Sequence, residues 1–481
     1  MKRMLLTLCA LALCRLVQGG AFTGAAFCGE AATLHPVRLS AYPQNQVWPG
    51  YQRPRHQTKR GWFVNFDVAA PGDFALAFDT PAAAEAARRA LRIRPLSRTN
   101  EVHVAASNLL VKVNGPEQFL MEFPGLAEDL HVFANPPFTY THVPDEIYFG
   151  PGTHDAGMIR PKSGTTVCFA PGAYVYGCLF LDAVKDVTIV GRGVLDSSRM
   201  VRTVGDGRVL DNQLANIRTG KGPWHLNSSS FTALATTNLT VEGVTLVDAP
   251  FWAVILRDCE RTAFDNLKIV GQWRYNADGI DVCYSRDTTI RNSFIRSFDD
   301  CIVARGAQLT RHGELLANLL AENCVLWCDW GKNLEIWGGD CVGDIRNVVY
   351  RNCKCIEVSH IACDLHVQGG AARVNVEHVR FEDIEVDLVP PRPASQLQRK
   401  DDPDEPYRGG EVTSCNLFIA DAAPRDASVR IAFNDIVCRN LRVYGAQQDL
   451  AVRIDESPAA LSVTNLVLES LPPGTQIHRR K

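Results

Sequence analysis

Between residues 144 and 470 apolar residues recur at every second position in short bursts, each closed by Gly or Asn: VTIVGRGVLD, LTVEGVTLVD, TTIRNSFIRS, LLAENCVLW, IRNVVYRNC, VEHVRFEDIEV and VTNLVLES. β-branched alternation over four to eight residues predicts half-buried strands rather than helices. The punctuating residues Asn266, Asn292, Asn323 and Asn352 are 26, 31 and 29 residues apart. Strand-bearing repeats of this irregular length predict a parallel β-helix, whose coils stack and whose turns accept insertions. A leucine-rich horseshoe would show regular leucines, and a propeller would show longer, four-stranded repeats.

The first part of the chain has a different texture. From residue 37 to 133, alternating stretches such as GWFVNFDVAA, NLLVKVNG and FLMEF are separated by Pro, Gly and Asn turns, with one helical interruption at PAAAEAARRALRI. This pattern predicts a small β-sandwich-like domain. Consecutive prolines at Asn135-Pro136-Pro137 favour an extended linker. The expected organisation is a signal peptide at 1–20, a β-sandwich-like domain at 30–138 and a parallel β-helix at 139–475. The whole is all-β. The signal peptide is read from MKRMLLTLCALALCRLVQGG, with Lys2 and Arg3 before an apolar run too short to span a membrane. It predicts a secreted or periplasmic protein.

Composition narrows the partners. The 481 residues carry 50 basic and 53 acidic side chains, with no long run of one sign, so neither nucleic acid nor a membrane surface is an expected partner. Oligomeric state is not readable. Export would permit disulfides, but the 16 cysteines are scattered along the chain. Cys324 with Cys328, and Cys353 with Cys355, lack the His pair that would complete a zinc pattern, so they read as small buried hydrophobes with a few unassigned disulfides allowed.

The chemistry concentrates in YNADGIDVCYSRDTTIRNSFIRSFDDCIVARG, residues 275–306, where Asp278, Asp281, Asp299 and Asp300 sit among strand-like apolar residues. Uncompensated carboxylates are costly there. In a solenoid, residues about one coil apart become neighbours at ~4.8 Å. Asp278 and Asp299 are 21 residues apart, so both can face one groove. Successive strand residues point to opposite faces, so Asp299 and Asp300 reach the same groove only if a bulge or turn lies there. Carboxylates held this close raise at least one pKa, leaving one proton beside ionised neighbours. That is the requirement of glycoside hydrolysis: an acid for the leaving oxygen and a base for water. One stacking step with a lateral offset fits the acid–base spacing of roughly 6.5 to 9.5 Å that inversion needs. A solvated acidic turn or a Ca²⁺ site would use similar residues.

The order NADGID, FDDC and GKNLEI resembles the active-site series of the polygalacturonase family (glycoside hydrolase family 28), over roughly residues 147–387. The resemblance implies a right-handed β-helix and an inverting enzyme without cofactor or metal. It implies Asp299 as general acid, with Asp278 and Asp300 activating water. Asn276, Arg305, Trp330, Lys332, Glu335 and His366 are the candidate substrate-binding residues. Lys332 stands where the family has a histidine, and Asp364 and His366 stand where it has the Arg and Lys that hold a uronate carboxylate. An aspartate there repels a uronate, which favours a neutral or mixed α-linked glycan. The front β domain is similar to that of the dextranases and isopullulanases (glycoside hydrolase family 49), which act on neutral α-glucans. Two other readings stay open: a Ca²⁺-dependent polysaccharide lyase using Lys332 or Arg305 as base, and a non-catalytic glycan-binding β-helix.

Overall fold

The computed structural model describes residues 21–40, 58–99, 101–125, 128–200, 229–274, 276–306, 315–338, 343–368, 373–388, 392–393, 411–412, 414–424 and 428–481. The N-terminal apolar segment and Tyr275 lie outside the described residues. Among the described residues, no helix is long and apolar enough to cross a membrane. The chain divides into two compact units, Met1–Leu39 with Thr58–Thr141, and Ser40–Gln57 with His142–Lys481.

The first unit holds two five-stranded sheets, one ordered Glu30–Ala32, Gly24–Phe27, Gly72–Ala77, Asn108–Val113, Val102–Ala105, the other Leu34–Ser40, Thr58–Asp67, Glu128–Asn135, Glu117–Phe123, Arg92–Arg94. Alternate residues of both sheets, including Trp62, Val64, Phe74, Val111 and Phe119, meet in one buried apolar cluster, which is the packing of a sandwich. The alanine-rich interruption forms the helix Pro81–Ala90. Its start is set by Thr80, whose hydroxyl accepts from the Ala83 N–H at 3.1 Å, and by proline in the first turn.

The second unit is a right-handed parallel β-helix. An 11-stranded parallel sheet forms one wall, and a 19-stranded parallel sheet runs round the others. Its register stacks like on like: Ile280 pairs with Ile302, Ile302 with Leu334, Leu334 with Cys363 and Cys363 with Phe418. All five are buried, so the inward positions of successive strands form one continuous apolar core. The punctuating residues are the corners. Asn266, Asn292, Asn323 and Asn352 have φ of 52°, 48°, 57° and 50°, the left-handed conformation that Asn adopts more readily than other residues with a Cβ. They also stack: the Asn323 amide donates to Asn292 at 3.3 Å and the Asn352 amide to Asn323 at 2.6 Å.

Thirteen described cysteines are all unbridged, and twelve of them are buried. The disulfides allowed on sequence grounds are not formed among these residues. Cys324, Cys328, Cys353 and Cys355 belong to the apolar core, and burial pushes the Cys259 and Cys283 thiols up to about 12. They behave as packing groups.

Candidate active site

The strand Phe294–Ser297 stops and the strand Ile302–Arg305 starts after an irregular corner at 298–301, so the break required for Asp299 and Asp300 to share a groove is present. The corner is held by its backbone. The N–H groups of Phe298 and Asp299 donate to the Ala277 carbonyl at 3.1 and 3.3 Å, and the Ser297 hydroxyl donates to the Asp299 carbonyl at 2.6 Å. The Gly279 N–H donates to the Asp300 carbonyl at 2.8 Å and the Cys301 N–H to the Lys332 carbonyl at 2.9 Å. Asp278 is therefore level with Asp300, one residue from the alignment with Asp299 that the spacing of 21 suggested, and Lys332 follows on the next coil. Asp278, Asp299 and Asp300 each offer a carboxylate oxygen within 4.8 Å of the others. These oxygens are closer than the spacing expected from the stacking argument, so carboxylate separation does not select inversion here. A Cβ on Gly331 would lie 2.3 Å from Asp299 Oδ1 and 2.4 Å from Asp300 Oδ1; only glycine leaves room for both acids.

The acids form two buried pairs, each bridged by one cation. Arg305 donates to Asp281 Oδ1 at 2.6 Å and to Asp278 Oδ2 at 3.1 Å. Its guanidinium lies over the rings of Trp252 and Trp337, at 4.2 and 4.6 Å from their centroids, within reach of both cation–π attractions. Lys332 donates its backbone N–H to Asp300 Oδ1 at 2.8 Å and its ammonium to Glu335 Oε1 at 2.9 Å, with the ammonium 3.5 Å from Asp300. Asp281 Oδ2 and Glu335 Oε2 are buried oxygens without a partner of the donor type. In each case the neighbouring carboxyl, Asp278 or Asp300, is the group that can share a proton with it.

The protonation pattern follows from burial and neighbours. Burial, then Asp281, Asp299 and Asp300, pushes Asp278 well above the usual carboxylate range. Burial lifts Asp281 to about 7 against the pull of Arg305, and burial with Asp300 lifts Glu335 well above its usual value. Asp300 goes the other way: burial would raise it, but Lys332, a hydrogen bond with Glu335, and Arg305 hold it low. These surroundings thus favour the ionised form at Asp300 and the protonated form at the carboxyls beside it. Burial would lower Lys332, but Asp300 and Glu335 hold it well above its usual value; Asp281 and Asp278 do the same for Arg305. Neither is a ready base.

The other sequence candidates divide. Asn276 donates to Asp278 Oδ1 at 3.2 Å, so its amide belongs to the acid cluster. Trp330 stacks on Phe298, with ring planes 6° apart, and packs against Ala277; only 9% of it is exposed. His366 is half-buried with its Nδ1 on the Asp421 carboxylate, which raises its pKa despite burial. Register puts Asp281, Val303, Glu335 and Asp364 in one outward column, and Arg305, Trp337 and His366 in the next. Asp364 is 2% exposed and lifted by burial to about 7. Sequence reasoning left Trp252 and Asp421 unnamed. Their signal was positional: Val254 pairs with Ile280, one coil before the acids, and His366 pairs with Asp421.

The chain is similar to known proteins in sequence and in fold. Residues 180–394 match the model of glycosyl hydrolases family 28. The matched stretch contains every member of the acid cluster. A probable endopolygalacturonase D of Neosartorya fischeri is 23% identical over 258 residues, 50% of this chain and 50% of that protein. An isopullulanase of Aspergillus niger is 28% identical over 193 residues, 38% of this chain and 31% of that one. The chain spans about half the length, or less, of these curated relatives. Among solved structures, Dex49A from Penicillium minioluteum superposes with a TM-score of 0.55 at 13% identity, covering 96% of this chain and 95% of its own. The chain therefore resembles family 28 in its acid-bearing coils, and the fold is shared with Dex49A along nearly its whole length.

Proposed function

We propose that this protein is a secreted, inverting glycoside hydrolase that cleaves an α-linked, neutral or mixed glycan. The observation that carries the reading is the meeting of Asp278, Asp299 and Asp300, with carboxylate oxygens within 4.8 Å of one another, in a family-28-like stretch. Asp299 protonates the departing glycosidic oxygen. Asp300, kept anionic by Lys332, takes the proton of the attacking water, and the protonated Asp278 orients that water by hydrogen bonding. Inversion rests on the resemblance to family 28. Asp364 in the adjoining coil stands in place of a cation, so this position offers no guanidinium or ammonium to hold a uronate carboxylate beside the cut bond. The high pKa of Lys332 and of Arg305 supports hydrolysis over a lyase, which needs a neutral base. Export is read from the basic, then apolar, start of the chain.

The test is release of reducing sugar from pectic, α-glucan, galactan and rhamnogalacturonan polymers by wild type and Asp299→Asn. Cleavage of one polymer, with a loss of about 10² or more in the variant, is expected for removal of a general acid. An ultraviolet-absorbing unsaturated product that disappears with a chelator would instead establish the lyase. Binding without turnover in any preparation would establish a lectin-like role.

A further inference from the structure

The outward columns of the site do not end at the acids. Glu335 pairs with Asp364, Asp364 with Ile419, Ile419 with Arg453 and Arg453 with His478. Arg453 thus lies four strands beyond Ile302–Arg305, on the same outer face, at ~19 Å by strand spacing. There the sheet carries an open cavity of about 450 Å³ whose polar lining is Asp421, Arg453, Asp455, His478, Arg479 and Arg480.

The charges there divide unequally. Asp421 is taken up by His366, and Asp455 receives the hydroxyl and N–H of Ser457 at 2.6 and 3.0 Å and lies 3.7 Å from Arg480. Arg479 is matched by Glu456, while Arg453 donates to the neutral Asn416 oxygen at 3.1 Å and makes no ion pair among the described residues. Along this column the buried carboxylates of Glu335 and Asp364 therefore give way to an exposed guanidinium beside a histidine. The planar guanidinium matches a carboxylate or sulfate in two-point contact.

We infer that Arg453, with His478 beside it, forms a remote subsite for an anionic sugar group, carboxylate or sulfate, about four sugar units from the cleaved bond. The inference rests on the hydrolase reading only for the words "cleaved bond"; the subsite itself is a binding claim. It fits the proposed mixed glycan: neutral where the bond is cut, next to Asp364 in place of a cation, and charged farther along.

The experiment is a ligand-observed NMR titration of the full-length protein with trigalacturonate, short enough to occupy the cationic end alone, and with its methyl ester as a neutral control. Wild type is expected to bind the acid more tightly than the ester. Arg453→Gln is expected to lose about threefold to tenfold for the acid and nothing for the ester, as for one exposed charge-assisted contact. The preference should also fade at high salt. Equal binding of acid and ester, an unaltered Arg453→Gln, or no binding of either by wild type overturns the subsite. A sulfated disaccharide in the same titration separates sulfate from carboxylate. Turnover is scored on its own: charge-selective binding without cleavage of any polymer sinks the hydrolase reading and leaves the subsite standing.

Discussion

Glu335 and Lys332 determine what Asp300 can do. Glu335 is fully buried, gives one oxygen to Lys332, and holds its other oxygen toward Asp300. If it carries a proton there, an amide can replace it. Glu335→Gln is expected to keep most of the wild-type rate, and Glu335→Leu to lose about tenfold or more, comparable to removing a hydrogen bond to a charged group; steady-state kinetics on the folded variants checks this. Removing the cation acts through pKa. In Lys332→Met the pull that keeps Asp300 low is gone, so its pKa rises and the acidic limb of kcat/KM moves to higher pH. An unmoved acidic limb would mean that Asp300 is not the base. The cluster was partly legible beforehand. The NADGID and FDDC strings gave the three acids, but nothing in GKNLEI indicated that Glu335 would be buried against Asp300, because that depends on a register of 32 residues between Ile302 and Leu334.

At the level of elements, the coil corners carry the fold. Asn323 sits at φ 57° and is both donor and acceptor in the amide stack. Asn323→Ala should cost about 1–2 kcal/mol, combining left-handed strain with two lost hydrogen bonds, and Asn323→Gly should cost less because glycine removes the strain. Urea unfolding of the two variants distinguishes the contributions; equal losses would mean that only the hydrogen bonds matter. Recurring asparagines were the most readable part of the sequence, since a left-handed turn leaves a residue-type signature. The strand alternation was equally clear, because inward positions such as Ile280, Ile302 and Leu334 must be apolar in every coil. The exact pairing of strands was not readable, since turns of unequal length decouple sequence spacing from register. That is why Asp278 is level with Asp300 rather than Asp299, and why Trp252 went unnoticed one coil earlier. Trp330 illustrates the opposite limit: an aromatic next to an acid motif fits sugar binding and packing equally well on sequence grounds, and only the structure shows its ring stacked on Phe298.

For the molecule as a whole, the buried acids couple folding to pH. Asp281 and Asp364 are both lifted to about 7 in the folded state, well above their ordinary value of 3.8. A carboxyl whose folded pKa is raised favours the folded state below its unfolded pKa, and that contribution is lost as pH rises through about 7. The protein should therefore melt lower at pH 8 than at pH 5. Asp364→Asn should recover part of the loss at pH 8 and bring little near pH 4. Calorimetry at the three pH values tests this, and a benefit that grows toward acid would contradict it. The balance of buried charge, the family-28-like acid series and the exposed Arg453 farther along the same face all fit the proposed role, cleavage of a glycan at Asp299 and Asp300.

The most direct check follows the anomeric proton of the product by ¹H NMR in the first minutes of digestion of the cleaved polymer, with wild type beside Asp299→Asn. Wild type is expected to release the β-anomer first from an α-linkage, before mutarotation, and Asp299→Asn to release about 10²-fold less or below. The α-anomer first, an olefinic proton in the product, or equal rates for the two proteins would contradict the proposed function.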